Sequence, residues 1–461
     1  MNTEPEKWMQ RVRKSRDSFF REPSDIYKAF DFSKDYSRLY NELITSQVNI
    51  ASEAIFGNPI PKGVAIFSFG APSRNEMMGR SDADVAVYRA GNSAQELVFR
   101  ERLVESLQDY GFTKVDTPVW GTLKEIQRYM NTSVTEANQV MEAQFICGDE
   151  ELRANIEQLR DSLYDRDVVA RNLVFQFYYF DQYFRKKESP NHLNIKYCSG
   201  GTRDLLFPAW YAQLKKGIER DLQATAMGRG LTVLADEGLL MPEEIADILS
   251  HSSAVSYVRD AIMGVTPRDM DGKLSPQGAE ELHEQEPHLF ASSQDISSVV
   301  NKARQSIRRA KAKVWEGLCN YFFEHRSEEW NDHFRKAVSG DIVEIPPELK
   351  HDEIINTVRI WNLDAQGAER SSGYLEQMAQ SNSWIILASL LSSPNVSGEI
   401  IDSVIRRKGL TPGYEYFLEI AARNPNLTPE TLEFIITDNS TEPRFKKPAL
   451  KLAKEQRIWQ K

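Results

Sequence analysis

Two aspartates with a spacing suited to metal binding lie in the segment of residues 66–87, IFSFGAPSRNEMMGRSDADVAV. The apolar residues around Asp82 and Asp84 predict a β-strand, and residues two apart on a strand point to the same face. Hard divalent cations prefer oxygen ligands, commonly one or two carboxylates together with substrate phosphates. The spacing therefore predicts a site for Mg²⁺ or Mn²⁺. The alternative is a solvated turn, since Ser and Asp also favour turns.

A glycine turn stands upstream of this pair. Gly70 follows an apolar predicted strand, and its small size lets backbone amides and a helix N-terminus approach phosphates closely. Ala71, Ser73 and Arg74 in this turn are predicted to contact a nucleotide, as is Ser81 beside the aspartates. A phosphate cradle next to a metal anchor is what metal-dependent nucleotidyl transfer requires.

A third carboxylate follows in a short predicted strand at 112–119. Asp116 is flanked there by Val115 and Thr117, a setting suited to another metal-facing carboxylate. An aspartate near a strand end, just before Pro118, explains the same pattern equally well. We expect Asp116 to bind the metal nearest the acceptor hydroxyl and to help lower the pKa of that hydroxyl.

The segment resembles the signature of the polymerase-β-type nucleotidyltransferase superfamily, whose longer form reads G-x-x-x-R-x-E…S-D-x-D. The positions that meet it are Gly70, Arg74, Glu76, Ser81, Asp82 and Asp84. Ala71 stands where the family usually has Ser or Gly, so the usual hydroxyl contact to a phosphate is not carried over. The resemblance implies magnesium-dependent transfer of a nucleoside monophosphate from a nucleoside triphosphate.

A wider resemblance, over roughly residues 40–380, is to the uridylyltransferase/uridylyl-removing enzyme that modifies the nitrogen-regulatory PII protein. The stretch 131–150 is similar to a helix of that family with its terminal Gly-Asp element, and NIKYCSGGTRDL at 194–205 is similar to its N-x-K-x-x-P-G-G-L-R-D-I run. The resemblance thereby predicts that Lys196 and Arg203 bind the nucleotide. Alternatively, Arg203 and Asp204 only lock the turn as an ion pair.

The family's regulatory enzyme continues into a hydrolytic HD domain and paired ACT domains. Here a helical repeat occupies the place where the HD domain would begin, and His351-Asp352 is an isolated dipeptide. We therefore expect neither uridylyl removal nor amino-acid sensing.

The repeat aligns residues 386–406 with residues 417–437 at a period of 31. Each copy has an apolar helix, a turn containing Pro-Asn, and a second helix for which Ser397 and Thr428 are the predicted N-caps. A helix pair that cannot bury its apolar face alone is typical of an α-solenoid. The repeat resembles variant leucine-rich or HEAT-like repeats of bacterial proteins.

These patterns predict an α+β protein with a small mixed-sheet nucleotidyltransferase domain, a large helical domain and a short C-terminal α-solenoid. The expected ranges are 1–58 for a helical extension, 59–125 for the catalytic domain, 126–380 for the helical domain and 381–461 for the repeats. A chain of 461 residues suits two or three domains.

A basic run on a predicted helix places Arg304, Arg308 and Lys311 on one face. This face is either solvated or lines the nucleotide or acceptor site.

The amino-acid composition bears on the cellular compartment and on the kind of partner. Three widely spaced cysteines indicate free thiols in a reducing cytoplasm. A net charge of −10 disfavours nucleic acid as the acceptor, and apolar runs stay well short of the ~18 residues of a membrane span.

The sequence thus favours an Mg²⁺-dependent nucleotidyltransferase that moves UMP or AMP from a nucleoside triphosphate to an acceptor, which we expect to be a protein. One alternative is a degenerate nucleotide sensor that uses the repeats as a protein-binding scaffold, which the departure at Ala71 favours. Another is a nucleic-acid-directed transferase or toxin of the same superfamily.

Overall fold

The computed structural model describes residues 4–59, 62–91, 93–112, 115–116, 120–132, 134–185, 193–218, 225–265, 273–341, 346–366, 372–409, 415–437 and 449–450. The protein is mostly helical with a small sheet, in agreement with the predicted α+β class. It divides into two compact units. The first comprises Met1–Asn131, Thr135–Val169 and Phe184–Leu318, and the second comprises Thr132–Val134, Ala170–Tyr183 and Cys319–Lys461.

The N-terminal region is helical, as its apolar spacing predicts. Helix α1 (Glu4–Phe19) precedes the long helix α2 (Ala29–Phe56), whose buried side chains recur at helical spacing, for example at Tyr36, Tyr40 and Leu43. Helix α2 ends at Gly57, which has the left-handed φ of 67° that commonly terminates helices. It contacts both the sheet and helix α4 (Ala94–Asp109) of the first unit.

The sheet of the first unit has five strands: β1 (Val64–Ser68), β2 (Ala83–Arg89), β3 (Val115–Asp116), β4 (Trp120–Gly121) and β5 (Gln144–Gly148). The main path is β3-β2-β1-β5, and β4 also pairs with β2. Strand β1 is antiparallel to β2 and β5, whereas β3 and β4 run parallel to β2. The sheet is therefore mixed, as expected.

Strand β5 was not predicted. The stretch 131–150 was expected to be helical up to its Gly-Asp element, but helix α6 (Val134–Glu142) ends before that element, and 144–148 pairs with β1. Strand β5 pairs with a strand that is distant in the sequence, and this pairing cannot be recognised from the local residues. A short apolar run is compatible with a helix and with a strand equally well. The sheet consequently extends past residue 125, the end of the predicted catalytic range, and the four predicted domain ranges stay predictions.

Among the described residues of the first unit, the other regular structure is helical except for the two-stranded pair β6 (Leu193–Asn194) and β7 (Lys273–Leu274). A short helix, α3, covers Gly70–Ser73. The other helices that begin in this unit or at its border are α5 (Leu123–Thr132), α7 (Glu150–Leu163), α8 (Arg166–Arg185), α9 (Leu206–Lys216), α10 (Ala226–Asp236), α11 (Pro242–Val265), α12 (Pro276–Gln285) and α13 (Ser293–His325).

The second unit continues in helical pairs with its own buried apolar core. Its helices are α14 (Glu328–Ser339), α15 (Glu353–Gln366), α16 (Ser372–Met378), α17 (Trp384–Ser392), α18 (Gly398–Val404), α19 (Glu415–Ala421) and α20 (Pro429–Thr437). The predicted caps are confirmed, because Ser397 Oγ accepts from Ile400 N and Thr428 Oγ1 accepts from Thr431 N. Asp352 caps α15 in the same way, one period of 31 residues before the cap Ser383.

Asparagines at equivalent positions link one helical pair to the next. Asn426 donates to the carbonyls of Pro394 and Val396, each at 2.8 Å, and Asn395, one period earlier, donates to the carbonyl of Leu363. The buried amide of Asn424 reaches back to two further carbonyls of the preceding pair, at 2.8 Å each. These bonds satisfy backbone acceptors in the turns, where helix ends leave carbonyls without intrahelical partners.

Substitution of Asn424 tests this linkage. Asn424→Ala is expected to lower the free energy of unfolding by about 2 kcal/mol, because it leaves two buried carbonyls without donors. Urea unfolding followed by circular dichroism measures the change, with Asn301→Ala at an exposed position of α13 as the control. Equal midpoints for the two variants would contradict a linking role.

Candidate functional site

The first unit brings the glycine turn and an aspartate of the Asp-x-Asp pair into direct contact. Gly70 follows β1 with a left-handed φ of 65°, a conformation that side chains other than glycine adopt at a cost. A Cβ atom at Gly70 would overlap Oδ2 of Asp84, so that the carboxylate lies against the glycine backbone. Only glycine leaves room for this approach, and the predicted phosphate cradle therefore adjoins the predicted metal anchor.

The two aspartates share one side of their strand. Asp84 is partly exposed whereas the other residues of β2 are buried, and Asp82, one residue before the strand, is also partly exposed. Ala83 and Val85 between and after them are completely buried in the core. Because side chains alternate along extended backbone, this burial pattern places both carboxylates on the face away from Ala83 and Val85.

Strand β2 is held at Asp84 by neighbouring groups. The Phe69 amide donates to the Asp84 carbonyl at 3.4 Å, and the Tyr40 hydroxyl donates to the same oxygen at 3.5 Å. Burial raises the pKa of Tyr40 well above its usual value of 10, and the nearby Asp84 charge adds to the effect. Tyr40 thus stays a neutral donor, and this contact was not predicted from the sequence.

The backbone of Asp116 lies next to that of Asp84. The two residues are register partners in the adjacent parallel strands β3 and β2. The side chain of Asp116 lies outside the described atoms, so its role as a third ligand stays a prediction. Within the described part of the chain, three or more His, Cys, Asp or Glu side chains do not group as a metal site.

The predicted hydroxyl contacts to phosphate have other partners in this structure. Ser73 Oγ donates to the Gly70 carbonyl at 2.9 Å and is buried, and Ser81 Oγ accepts from Met78 N at 2.9 Å. Ala71 has no side-chain hydroxyl, and its backbone carbonyl accepts from Glu76 N. Both serines stabilise the loop between β1 and β2, and their contacts to a nucleotide stay predictions.

Arg74 lies between two carboxylates. Its guanidinium binds Glu76 Oε2 at 2.9 Å and Glu142 Oε2 at 2.5 Å, and its side chain is only 13% exposed. Burial by itself would lower the pKa of Arg74, but the charges of Glu142 and Glu76 outweigh burial and raise it. Sequence reasoning missed Glu142, because it lies far along the chain in α6 and carries no motif of its own.

A small cavity adjoins this ion-pair network. Its polar lining comprises Arg74, Glu142, Gln144, Gln213 and Arg229, and its volume is about 20 Å³. That volume holds about one water molecule and is far too small for a nucleobase.

The second predicted element, residues 194–205, forms a tight turn. Asn194 Oδ1 accepts from the amides of Lys196 and Tyr197, and the Arg203 amide donates to the Lys196 carbonyl. Both glycines are needed for close approach. A Cβ at Gly200 would overlap the carbonyl of Arg304, and one at Gly201 would crowd carbonyls of its own turn. Lys196 and Arg203 are therefore fixed at the two ends of this turn by their backbones.

The ion pair predicted between Arg203 and Asp204 is wrong. The buried Asp204 carboxylate accepts instead from Lys311 Nζ and from Gly200 N, both at 2.8 Å. Burial raises the pKa of Asp204, while the Lys311 charge opposes that increase. The partner comes from α13, more than a hundred residues away, because adjacent side chains in a short 3₁₀ turn diverge.

The basic face of α13 contacts the turn at 199–204. Arg304 Nε and Arg308 Nε both donate to the Ser199 carbonyl at 3.1 Å, and Lys311 binds Asp204. The i, i+4, i+7 spacing was predicted correctly, but the face packs on the turn at 199–204. The face is therefore not simply solvated, and its role in lining the nucleotide or acceptor site stays a prediction.

Breaking the Lys311–Asp204 pair has a predictable cost. Lys311→Ala is expected to reduce the free energy of unfolding by about 3–5 kcal/mol, because it leaves a buried carboxylate without its counter-ion. The exposed pair of Lys313 with Glu316 provides the control, and Lys313→Ala should leave stability unchanged within error. Chemical denaturation of both variants measures the difference, and equal stabilities would contradict the assignment.

Comparisons with known proteins agree with the motif at 194–205. Residues 181–310 match the family described as GlnD PII-uridylyltransferase. The bifunctional uridylyltransferase/uridylyl-removing enzyme of Bordetella avium is 26% identical over 220 residues, which cover 47% of this chain and 24% of that protein. The bifunctional glutamine synthetase adenylyltransferase/adenylyl-removing enzyme of Streptomyces coelicolor is 25% identical over 287 residues, which cover 56% and 28%.

The names of these relatives place them in one class of enzyme. They are nucleotidyltransferases by name, and this chain carries a nucleotidyltransferase-like region. Within that class, residues 181–310 resemble the PII-uridylyltransferase family, as the run at 194–205 predicted. The match includes Lys196 and Arg203 but not the Asp-x-Asp segment, and the chain spans only about a quarter of the length of these relatives.

Among the helices that the structure describes, none is both long enough and apolar enough to span a bilayer.

Proposed function

We propose that this protein transfers a nucleoside monophosphate, UMP or AMP, from a nucleoside triphosphate to an acceptor protein. The observation that carries the proposal is the contact of the Asp84 carboxylate with the backbone of Gly70. It joins a carboxylate suited to a hard cation with a glycine turn suited to phosphates, within one partly exposed face of the sheet. The similarity to uridylyl- and adenylyltransferases supports the same reaction class.

Asp82 and Asp84 are the residues that would hold Mg²⁺ or Mn²⁺, with Asp116 as the proposed third ligand. The residues at Gly70 fit such a group. Oδ2 of Asp84 lies in the space that a Cβ at position 70 would need, so that a carboxylate ligand stands directly beside the glycine turn. Bound Mg²⁺ would neutralise the phosphates and the charge that develops during transfer. Backbone amides of the Gly70 turn would orient the phosphates, and Lys196 and Arg203 would add positive charge.

The helical pairs of the second unit support a protein as the acceptor or partner. We infer that they form a short α-solenoid, on the basis of the 31-residue period, the equivalent caps and the asparagines that reach back to the preceding pair. Stacked helical repeats create extended surfaces suited to protein recognition. A cytoplasmic setting, where nucleoside triphosphates are available, fits the three free cysteines.

A second candidate is a degenerate nucleotide sensor. It rests on Ala71 at a position where the superfamily usually has a serine or glycine, and on Ser73, whose hydroxyl binds the Gly70 carbonyl. The pair Asp82 and Asp84 would then bind a nucleotide with its metal but transfer nothing.

One labelling experiment separates the two candidates. The purified protein is incubated with each α-labelled nucleoside triphosphate, with Mg²⁺, Mn²⁺ or EDTA, and with a bacterial lysate as the source of acceptors. Metal-dependent label on a protease-sensitive band, strongest with UTP or ATP, is the expected result. Label that disappears with ribonuclease would point to an RNA acceptor, and nucleotide binding without any label would support the sensor.

A further inference from the structure

Arg74 is the centre of a buried network that joins three parts of the first unit. Its guanidinium binds Glu76 in its own loop and Glu142 at the end of α6. The second carboxylate oxygen of Glu142 accepts from Trp210 Nε1 of α9 at 2.6 Å. Both glutamates are nearly inaccessible, with side chains 9% and 6% exposed. Such charges are tolerated in the interior only when they are paired and hydrogen-bonded.

The same loop is attached to the first turn of α10. The Ala226 amide donates to the Arg74 carbonyl at 3.1 Å, and the Met227 amide donates to Glu76 Oε1 at 3.2 Å. These amides belong to the first turn of a helix and have no intrahelical acceptors. Helix α10 in turn packs tightly on α9, since a Cβ at Gly230 would overlap the Pro208 carbonyl.

Two consequences follow for the candidate site. The loop that begins at Gly70 is fixed at Arg74 to helices that belong to the PII-uridylyltransferase-like region, residues 181–310. The Gly70 backbone in turn contacts the Asp84 carboxylate. A displacement of Arg74 would therefore move the glycine turn relative to Asp84, without any direct contact between Arg74 and a nucleotide.

We propose that Arg74 is a positioning residue. Together with Glu142 and Trp210, it holds the glycine turn in a fixed position relative to α10 and thereby places the phosphate cradle beside Asp84. This proposal deepens the proposed function and rests on it. It replaces the phosphate contact that the motif predicted for Arg74, because the guanidinium is already shared by two buried carboxylates.

Steady-state kinetics of labelling distinguish the two roles. If Arg74 positions the turn, Arg74→Gln lowers kcat about 100-fold and changes KM for the nucleoside triphosphate less than threefold. The double variant Arg74→Gln with Glu142→Gln regains at least tenfold in kcat, because it removes one of the two buried carboxylates that lose their counter-ion and lets two amides bond to each other. A phosphate-binding arginine predicts instead a large increase in KM that Glu142→Gln leaves in place. That result would overturn the proposal.

Hydrogen exchange supplies a readout that needs no activity. Arg74→Gln is expected to speed amide exchange at least tenfold in peptides covering 66–78 and 225–231, whereas exchange in α13 stays unchanged. Arg153 is the matched control, because it also lies between two glutamates, Glu150 and Glu157, but on the surface of α7. Arg153→Gln should change neither peptide.

The two proposals fail in different ways. If the wild-type protein labels nothing, the proposed transfer fails, and hydrogen exchange still decides whether Arg74 joins the turn to α10. Unchanged exchange at 225–231 in Arg74→Gln would overturn the positioning role even in an active enzyme.

Discussion

Asp84→Asn is expected to abolish nucleotidyl transfer, with a loss of about 10³-fold or more in kcat. Asparagine has nearly the same shape as aspartate, so it can keep its place against the Gly70 backbone. It lacks the negative charge that a hard cation needs from its ligand. The fold should survive, because Asp84 is partly exposed and its carbonyl, the acceptor for Phe69 N, is unaltered.

The measurement is metal-dependent labelling at saturating UTP and ATP, with circular dichroism and thermal unfolding to check the fold. Asp35→Asn on α2 is the control, since the Asp35 carboxylate is exposed and pairs with Arg38 one turn along the same helix. Retention of more than a tenth of the wild-type rate in Asp84→Asn would contradict a metal-binding role for this aspartate.

Gly70→Ala is expected to reduce kcat by about 100-fold or more, because its methyl group would overlap Asp84 Oδ2 and displace that carboxylate. Gly57→Ala is a matched control. Gly57 has almost the same backbone, with φ of 67° against 65°, but a Cβ there would meet no atom within 4 Å. Both substitutions should cost about 1–2 kcal/mol of stability from the left-handed conformation. Only Gly70→Ala should also affect transfer.

A double variant identifies the cause of the loss. If Gly70→Ala acts by displacing the carboxylate, then Gly70→Ala combined with Asp84→Asn should be no slower than Asp84→Asn alone. Additive losses would show that the glycine acts independently of Asp84, for example through the phosphates. Equal activities of Gly57→Ala and Gly70→Ala would remove the structural basis of the proposed cradle.

The local features of the site could be predicted from the sequence. Strand β1, the glycine turn and the Asp-x-Asp strand follow from apolar runs, a small residue and alternation. The caps Ser397 and Thr428 follow from side chains that bond to amides three residues away. Each of these features is determined within a few residues.

The network around the site could not be predicted in this way. The carboxylate that pairs with Arg74 comes from α6, and the cation that pairs with Asp204 comes from α13. Charged side chains of these types occur throughout the chain, and nothing in their local sequence selects the partner. The same reason explains why β5 was predicted as helix, since its pairing with β1 depends on where α6 ends.

The sequence by itself determined which chemistry is available, because the identity and spacing of Gly70, Asp82 and Asp84 fix their backbone freedom, charge and common face. The tertiary structure alone decided which charges meet, since burial makes an ion pair depend on packing between distant helices. It thereby gave Arg74 its two carboxylates and turned the basic face of α13 onto the turn at 199–204.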